Sequence, residues 1–297
     1  MSWTALGLVL LAALLHAAWN VAAKKAGGNH HFVLMGAVLI VLLWAPLGLW
    51  LAWQDVPHWG LTEWGFILAS ALVHLVYFNV LLKGYRESDL TVVYPVARGT
   101  GPLLSAVGAM LLLSEWPTAV GLAGLAGIVG GIWLIAGGPS LWRKAHDGGH
   151  DPHQRARVRA GIAWGALTGV LIAGYTLIDG YAVKVLLMSP ILIDYLGNAA
   201  RIPFMLPAVW RDRDGWRAAW ATQWRHAVLM AVISPLAYVL VLYAAQQAPL
   251  SHVAPAREVS MLFAALIGGR LLGEADRGWR LAGAALMAAG VVALAAG

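Results

Sequence analysis

Arg257 and Glu258 stand side by side in "SHVAPAREVSMLF", residues 251–263, where every neighbour is small or apolar. Arg98 holds a comparable place in "DLTVVYPVARG", residues 89–99. One acid and two guanidiniums in apolar surroundings suit the recognition of a charged solute. Forked guanidinium groups hold a carboxylate or phosphonate through paired hydrogen bonds. Glu258 can take up a proton or neutralise an amine. The competing reading is an internal salt bridge between Glu258 and Arg98, and the two agree if that bridge opens during work.

Other polar residues repeat this theme. In "HAAWN", His16 and Asn20 are four apart and share a helix face, with Trp19 beside them. Tyr175 and Asp179 have the same spacing in "GYTLIDG". Asp179 is a second candidate for proton binding after Glu258. Asp194, Asn198 and Arg201, spaced by four and three, also share a face. They either line a site, with Asp194 a third acid available to protons, or brace their own helix. Tyr94, four before Arg98, joins His74, Tyr77 and Tyr238 as a candidate wall residue; plain packing is the alternative for each.

These groups need a membrane to make sense. Of 297 residues, 60% are hydrophobic and 11% charged, against about 25% charged in a soluble domain. A lipid-facing surface resolves the deficit, and the 16 Trp suit the membrane–water interface. The net charge of +6 is expected to mark cytoplasmic loops, not a nucleic-acid partner. Without cysteine there is no disulfide, thiol nucleophile or thiolate metal site. No nucleophile elbow, phosphate loop or zinc-protease helix occurs, so neither an enzyme nor a cofactor is expected. "AHDGGHDPH", with His146, His150 and His153 beside Asp147 and Asp151, reads as a solvated linker, so no metal is expected either. The first apolar stretch carries its lysines after it, unlike a signal peptide, and is expected to stay as a span.

A crossing helix needs about 20 apolar residues. Such segments lie near 3–23, 32–53, 64–85, 90–113, 117–137, 160–184, 190–210, 226–246, 250–272 and 279–296. With alternating sides, 16 of the 20 Lys and Arg fall on one side of the membrane, Lys184 alone on the other, and Arg98, Arg201 and Arg257 inside spans. The basic side is expected to be cytoplasmic, with both termini outside. Charges within spans cost about 2.5–3.5 kcal/mol each at the centre, which is tolerated where they pair or line a wet cavity.

The chain also repeats itself. Leu122, Ala123 and Gly124 match Leu281, Ala282 and Gly283 at an offset of 159; Asn20 and Asp179, Lys25 and Lys184, and Glu115 and Glu274 share it. Pro95 over Pro255 sets Arg98 over Glu258. Five spans occur twice, and five is odd, so the second copy enters from the other side. The expected fold is an all-α integral membrane protein of ten transmembrane helices in two inverted five-helix repeats. Residues 1–138 and 160–297 form the repeats, with a basic cytoplasmic linker at 139–159. Prolines 95 and 255 either break helices at a site or sit harmlessly near helix starts. "GLAGLAGIVGG" contains the GxxxG of Gly127 and Gly131, a helix-packing signal, either within a monomer or in a homodimer.

Ten spans in two halves, with Glu115 and Glu274 after spans four and nine, resemble the EamA family of the drug/metabolite transporter superfamily. The resemblance implies a secondary carrier of amino acids, metabolites or drugs, many family members being exporters. The expected function is secondary active transport, coupled to protons, of a small polar metabolite, amino-acid-like or zwitterionic, across the bacterial inner membrane by alternating access. A passive channel of the same fold and a non-transporting membrane scaffold are the alternatives.

Overall fold

The computed structural model describes residues 1–25, 29–88, 90–135, 138, 152–267 and 277–297. Glu274, Arg270 and the linker residues 139–151, with His146, Asp147, His150 and Asp151, lie outside the described residues.

All regular structure among the described residues is helical. In chain order the α-helices are α1 (Trp3–Lys25), α2 (His30–Leu43), α3 (Ala45–Asp55), α4 (Leu61–Glu87), α5 (Leu90–Leu112) and α6 (Ala119–Ile135), then α7 (Pro152–Lys184), α8 (Pro190–Arg211), α9 (Arg213–Gln247), α10 (Leu250–Ala256), α11 (Ser260–Ile267) and α12 (Arg277–Ala296). Helix starts carry local signals. Asn29 accepts from the Phe32 amide at the head of α2. Glu63 accepts from the Gly60 amide before α4. Asp212 accepts from the Gly215 amide at the head of α9. The Asp212 carboxyl is held below the usual carboxylate range by its hydrogen bonds with His31 and then with that amide.

Each of the ten apolar segments holds a helix or a broken helix. By length and composition α1, α4, α7, α9 and α12 can each cross a membrane, and α2 with α3 can do so as a pair bent by 68°. The bend falls at Trp44, where Pro46 opens α3 and cannot donate to the preceding turn. The other segments depart from simple spans for visible reasons. α6 has 17 residues. α5 carries Arg98, α8 carries Asp194 and Arg201, and α10 passes through a 3₁₀ turn at Arg257–Val259 into α11. Exposed apolar side chains cover the helices, Leu11, Leu72, Leu111, Val170 and Val292 among them. Trp3, Trp53, Trp116 and Trp210 are exposed at or next to helix ends, where indole favours the interface. The chain is a multi-pass membrane protein.

Two helices exceed their expected bounds. α7 begins at Pro152, inside the segment read as linker. α9 begins at Arg213, thirteen residues before the apolar stretch, because "RDGWRAAWATQWR" is rich in good helix formers although polar.

Packing pairs obey an exchange of halves. α6 packs on α12, α5 on α10, and α2 on α8, each element on its own counterpart. α5 packs on α7 and α1 on α11; α1 packs on α9 and α4 on α7. Swapping first-half for second-half elements turns each of these contacts into another. At the α6–α12 seam, a Cβ on Gly124 would lie 2.7 Å from the Gly290 carbonyl oxygen, and one on Gly283 2.7 Å from that of Gly131. Glycine permits that backbone approach, and the GxxxG signal is satisfied within the monomer.

The bundle has two polar ends. At one, the Lys184 ammonium lies 2.7 Å from Glu115 and donates to the carbonyls of Ala245 and Ala248. Glu115 also accepts from the Ser251 amide at the head of α10. The first-residue ammonium donates to Ala295 near the chain's end. Ser114 and Leu187, in the connections that bear this cluster, both have φ of 54°. Near each, an amide reaches back six residues to a helix carbonyl, Glu115 to Ala109 and Met188 to Ala182. At the other end His31 meets Asp212, Ser88 donates to the Arg157 carbonyl, and the Trp164 indole donates to Glu87.

Candidate functional site

The residues that could do chemistry converge where the two halves meet. α1 supplies His16 and Trp19, α5 supplies Tyr94 and Arg98, and the 3₁₀ turn supplies Arg257 and Glu258. That turn follows Pro255, which has no amide to donate within α10. Pro95 acts differently, since α5 runs through it unbroken. The matched prolines thus have unlike effects, and only the second-half copy accompanies a break.

Glu258 is fully buried. Arg98 Nη1 lies 3.1 Å from its Oε2 and 3.4 Å from its Oε1. Arg257 Nε is 3.7 Å from the same carboxylate and has no hydrogen-bond partner among the described residues. One buried carboxylate therefore faces the buried Arg257 and the largely buried Arg98, and the trio carries one more basic than acidic group. Of the two readings of Arg98 and Glu258, the internal bridge is formed here.

Arg98 Nη2 lies 3.1 Å from His16 Nε2, and the Trp19 indole nitrogen lies 3.2 Å from His16 Nδ1. Neutral imidazole accepts through only one nitrogen. One of these donors is accordingly mismatched and available to an incoming acceptor. The Tyr94 ring lies beneath the Arg98 guanidinium, 5.3 Å from its centre.

An aromatic wall adjoins the charges. Tyr175 stacks on His74 with centroids 4.0 Å apart and meets Tyr77 edge-on at 5.6 Å. Tyr238 approaches His74 edge-on at 6.0 Å, and its hydroxyl donates to Asp179. Asp179 is buried. His74 Nδ1 donates to the Ser70 carbonyl at 2.9 Å, with Ser70 Oγ 3.3 Å away. Sequence reasoning passed over Ser70; its signal is the four-residue spacing that puts it on the His74 face.

Three predicted residues are engaged within their own helices. Asn20 donates to the His16 carbonyl, Asn198 to that of Asp194, and Arg201 Nε to that of Gly197. Among the described residues, Asp194 and Arg201 form no ion pair within 4 Å, so the bracing bridge along α8 is not made. Lys184 and Glu115 were visible only as matched repeat positions, and their pairing with each other carried no sequence signal.

The arrangement can hold an anionic group against surplus guanidinium charge, present aromatic faces to the rest of a solute, and offer buried carboxylates to a proton. The model of the EamA-like transporter family matches residues 3–137 and again 159–296. No curated protein matches the sequence. Twenty-eight solved chains resemble the structure. One, described only as a crystal structure of a protein, has a TM-score of 0.70 at 13% identity, covering 99% of this chain and 96% of its own; it shares the fold. The family match spans nearly the whole chain, and the chain belongs to the EamA-like transporter family.

Proposed function

We propose that this member of the EamA-like transporter family is a proton-coupled secondary carrier of a small polar, amino-acid-like or zwitterionic metabolite. The observation that carries the reading is the buried trio of Arg98, Arg257 and Glu258 at the meeting of the two halves. Intramembrane ionisable groups are retained chiefly along substrate or proton paths. Arg98 and Arg257 would take the substrate's anionic group, with Trp19 and His16 at its edge. Tyr77, Tyr94, Tyr175 and Tyr238 would shape the pocket, and Asn20, Asn198 and Arg201 would extend its polar lining. Glu258 is the first proton carrier and Asp179 the second, with Asp194 next.

The same proposal takes ten membrane crossings in two inverted halves. The exchange symmetry of the packing supports it, as does the grouping of connections at two ends. Both termini and the Glu115 and Lys184 connections gather at one end, while the more basic connections gather at the other. By the bias of Lys and Arg the second end is cytoplasmic, in a bacterial inner membrane. Alternating access follows when the halves exchange conformations.

The test is transport by purified protein in liposomes under a pH gradient, using a panel of amino acids, aminophosphonates and amines. Concentrative uptake and counterflow are expected for at least one compound. Passive equilibration without either points to a facilitator. No flux of any compound, with the protein folded and inserted, ends the carrier reading.

A further inference from the structure

Away from the central charges, His30, His31 and Asp212 meet at the end of the bundle opposite Lys184. We propose that these three residues bind a borderline divalent cation of the zinc class.

One ligand atom from each residue lies within 4.8 Å of the other two. His31 is buried, and its Nε2 stands 2.8 Å from Asp212 Oδ2. Asp212 Oδ1 is already occupied by the Gly215 amide, which orients the carboxylate and leaves Oδ2 as the ligand atom. The other nitrogen of His31, Nδ1, is buried without a hydrogen-bond partner among the described residues. Asp212 is the ring's one side-chain hydrogen-bond partner among the described residues, so a cation there would displace no other side-chain hydrogen bond of the ring. The His30 ring lies against that of His31, centroids 3.9 Å apart.

The hydrogen bond of His31 with Asp212, together with the Gly215 amide, accounts for two of these residues as a helix cap. It does not account for a second imidazole at the same point. Two imidazoles and one carboxylate form a ligand set suited to zinc-like ions, whereas calcium and magnesium prefer oxygen alone. Bonds of about 2.0–2.1 Å in a tetrahedron put ligand atoms roughly 3.3 Å apart. His30 is exposed and free to close that gap, and the Asp212 side chain is 55% exposed, so water can fill the fourth position. His30 and His31 head α2 in the first half, and Asp212 joins α8 to α9 in the second. A bound cation would tie the halves together at this end. The inference does not rest on the transport reading.

The test uses the full chain, purified in detergent with a tag free of histidine and stripped of metal. Titration with ZnCl2 is expected to show one equivalent bound, and CoCl2 to give the visible absorption of tetrahedral cobalt. His30→Ala should weaken binding at least tenfold and leave the metal-free melting temperature unchanged. Asp212→Asn keeps an oxygen for the Gly215 amide and should weaken binding similarly. A variant with His146, His150 and His153 all changed to Gln should bind as the unaltered chain does. Absence of stoichiometric binding, unchanged affinity in His30→Ala, or loss of binding in the linker variant would each overturn the site.

Discussion

Arg98 Nη1 donates to Glu258 Oε2 at 3.1 Å although the residues are 160 positions apart. They occupy corresponding places in the two halves, so each half supplies one charge of the pair that joins them, with Arg257 of the second half 3.7 Å from the same carboxylate. Removing one member of such a buried pair strands the other, a loss of about 3–5 kcal/mol, whereas replacing both by apolar residues is often neutral. Arg98→Met should thus lower the melting temperature in detergent, and Arg98→Met with Glu258→Met should recover only part of it, because Arg257 is then left buried without its carboxylate. Neither should transport. A double variant no more stable than the single one would show that Glu258 depends chiefly on other partners.

Glu258→Gln retains the shape of the side chain and one acceptor oxygen, and removes its charge and its proton. For the proposed carrier, accumulation driven by a pH gradient should disappear while substrate counterflow persists. Undiminished gradient-driven accumulation by a folded Glu258→Gln protein transfers the proton role elsewhere, with Asp179 next in order.

The glycine seam allows a graded comparison. A Cβ on Gly124 meets the Gly290 carbonyl oxygen at 2.7 Å, whereas one on Gly7 meets nothing within 4 Å. Gly124→Val should force α6 and α12 apart and destabilise by about 1–3 kcal/mol. Gly7→Ala should melt at or above the unaltered temperature, since alanine favours helix. Equal melting temperatures for the two variants would refute close backbone contact at the seam.

Lys184 bonds to Glu115 and to the end of α9, while Glu115 caps α10. Ser251 lies beneath this cluster and is buried. The chain has no cysteine, so Ser251→Cys provides a single reporter. Its reaction with a water-soluble maleimide should be slow alone and at least several-fold faster when combined with Lys184→Met. Equal rates would mean that packing, not the ion pair, closes this end.

Leu187 is held at φ of 54° and is largely exposed. A left-handed backbone is strained for a residue with a Cβ and free for glycine. Leu187→Gly should raise stability by up to about 1 kcal/mol, read as a higher melting temperature. A lower one would show that the leucine side chain contributes more than the backbone strain removes.

Helix positions were legible because apolar length reports directly on crossing segments. The inward charges were legible because lipid offers them no partner. The break at Trp44 is marked by Pro46, but proline inside α5 leaves that helix intact, so proline alone does not locate a kink. The polar turns of α9 were missed because they have helix-forming residues without an apolar stripe. Pairings such as Lys184 with Glu115, or His31 with Asp212, join residues far apart in the chain and leave no periodic trace. The repeat told which positions correspond, not which of them touch.

The Gly124–Gly290 and Gly131–Gly283 contacts interconvert when the halves trade places. The glycine contacts of that seam are equivalent: interchanging the halves turns one 2.7 Å approach into the other. In a rocking carrier they can serve as a fixed axle and cannot favour either orientation. Any resting preference must then come from positions that lack a mirror partner, foremost the 3₁₀ turn at Arg257–Val259 set against an unbroken α5.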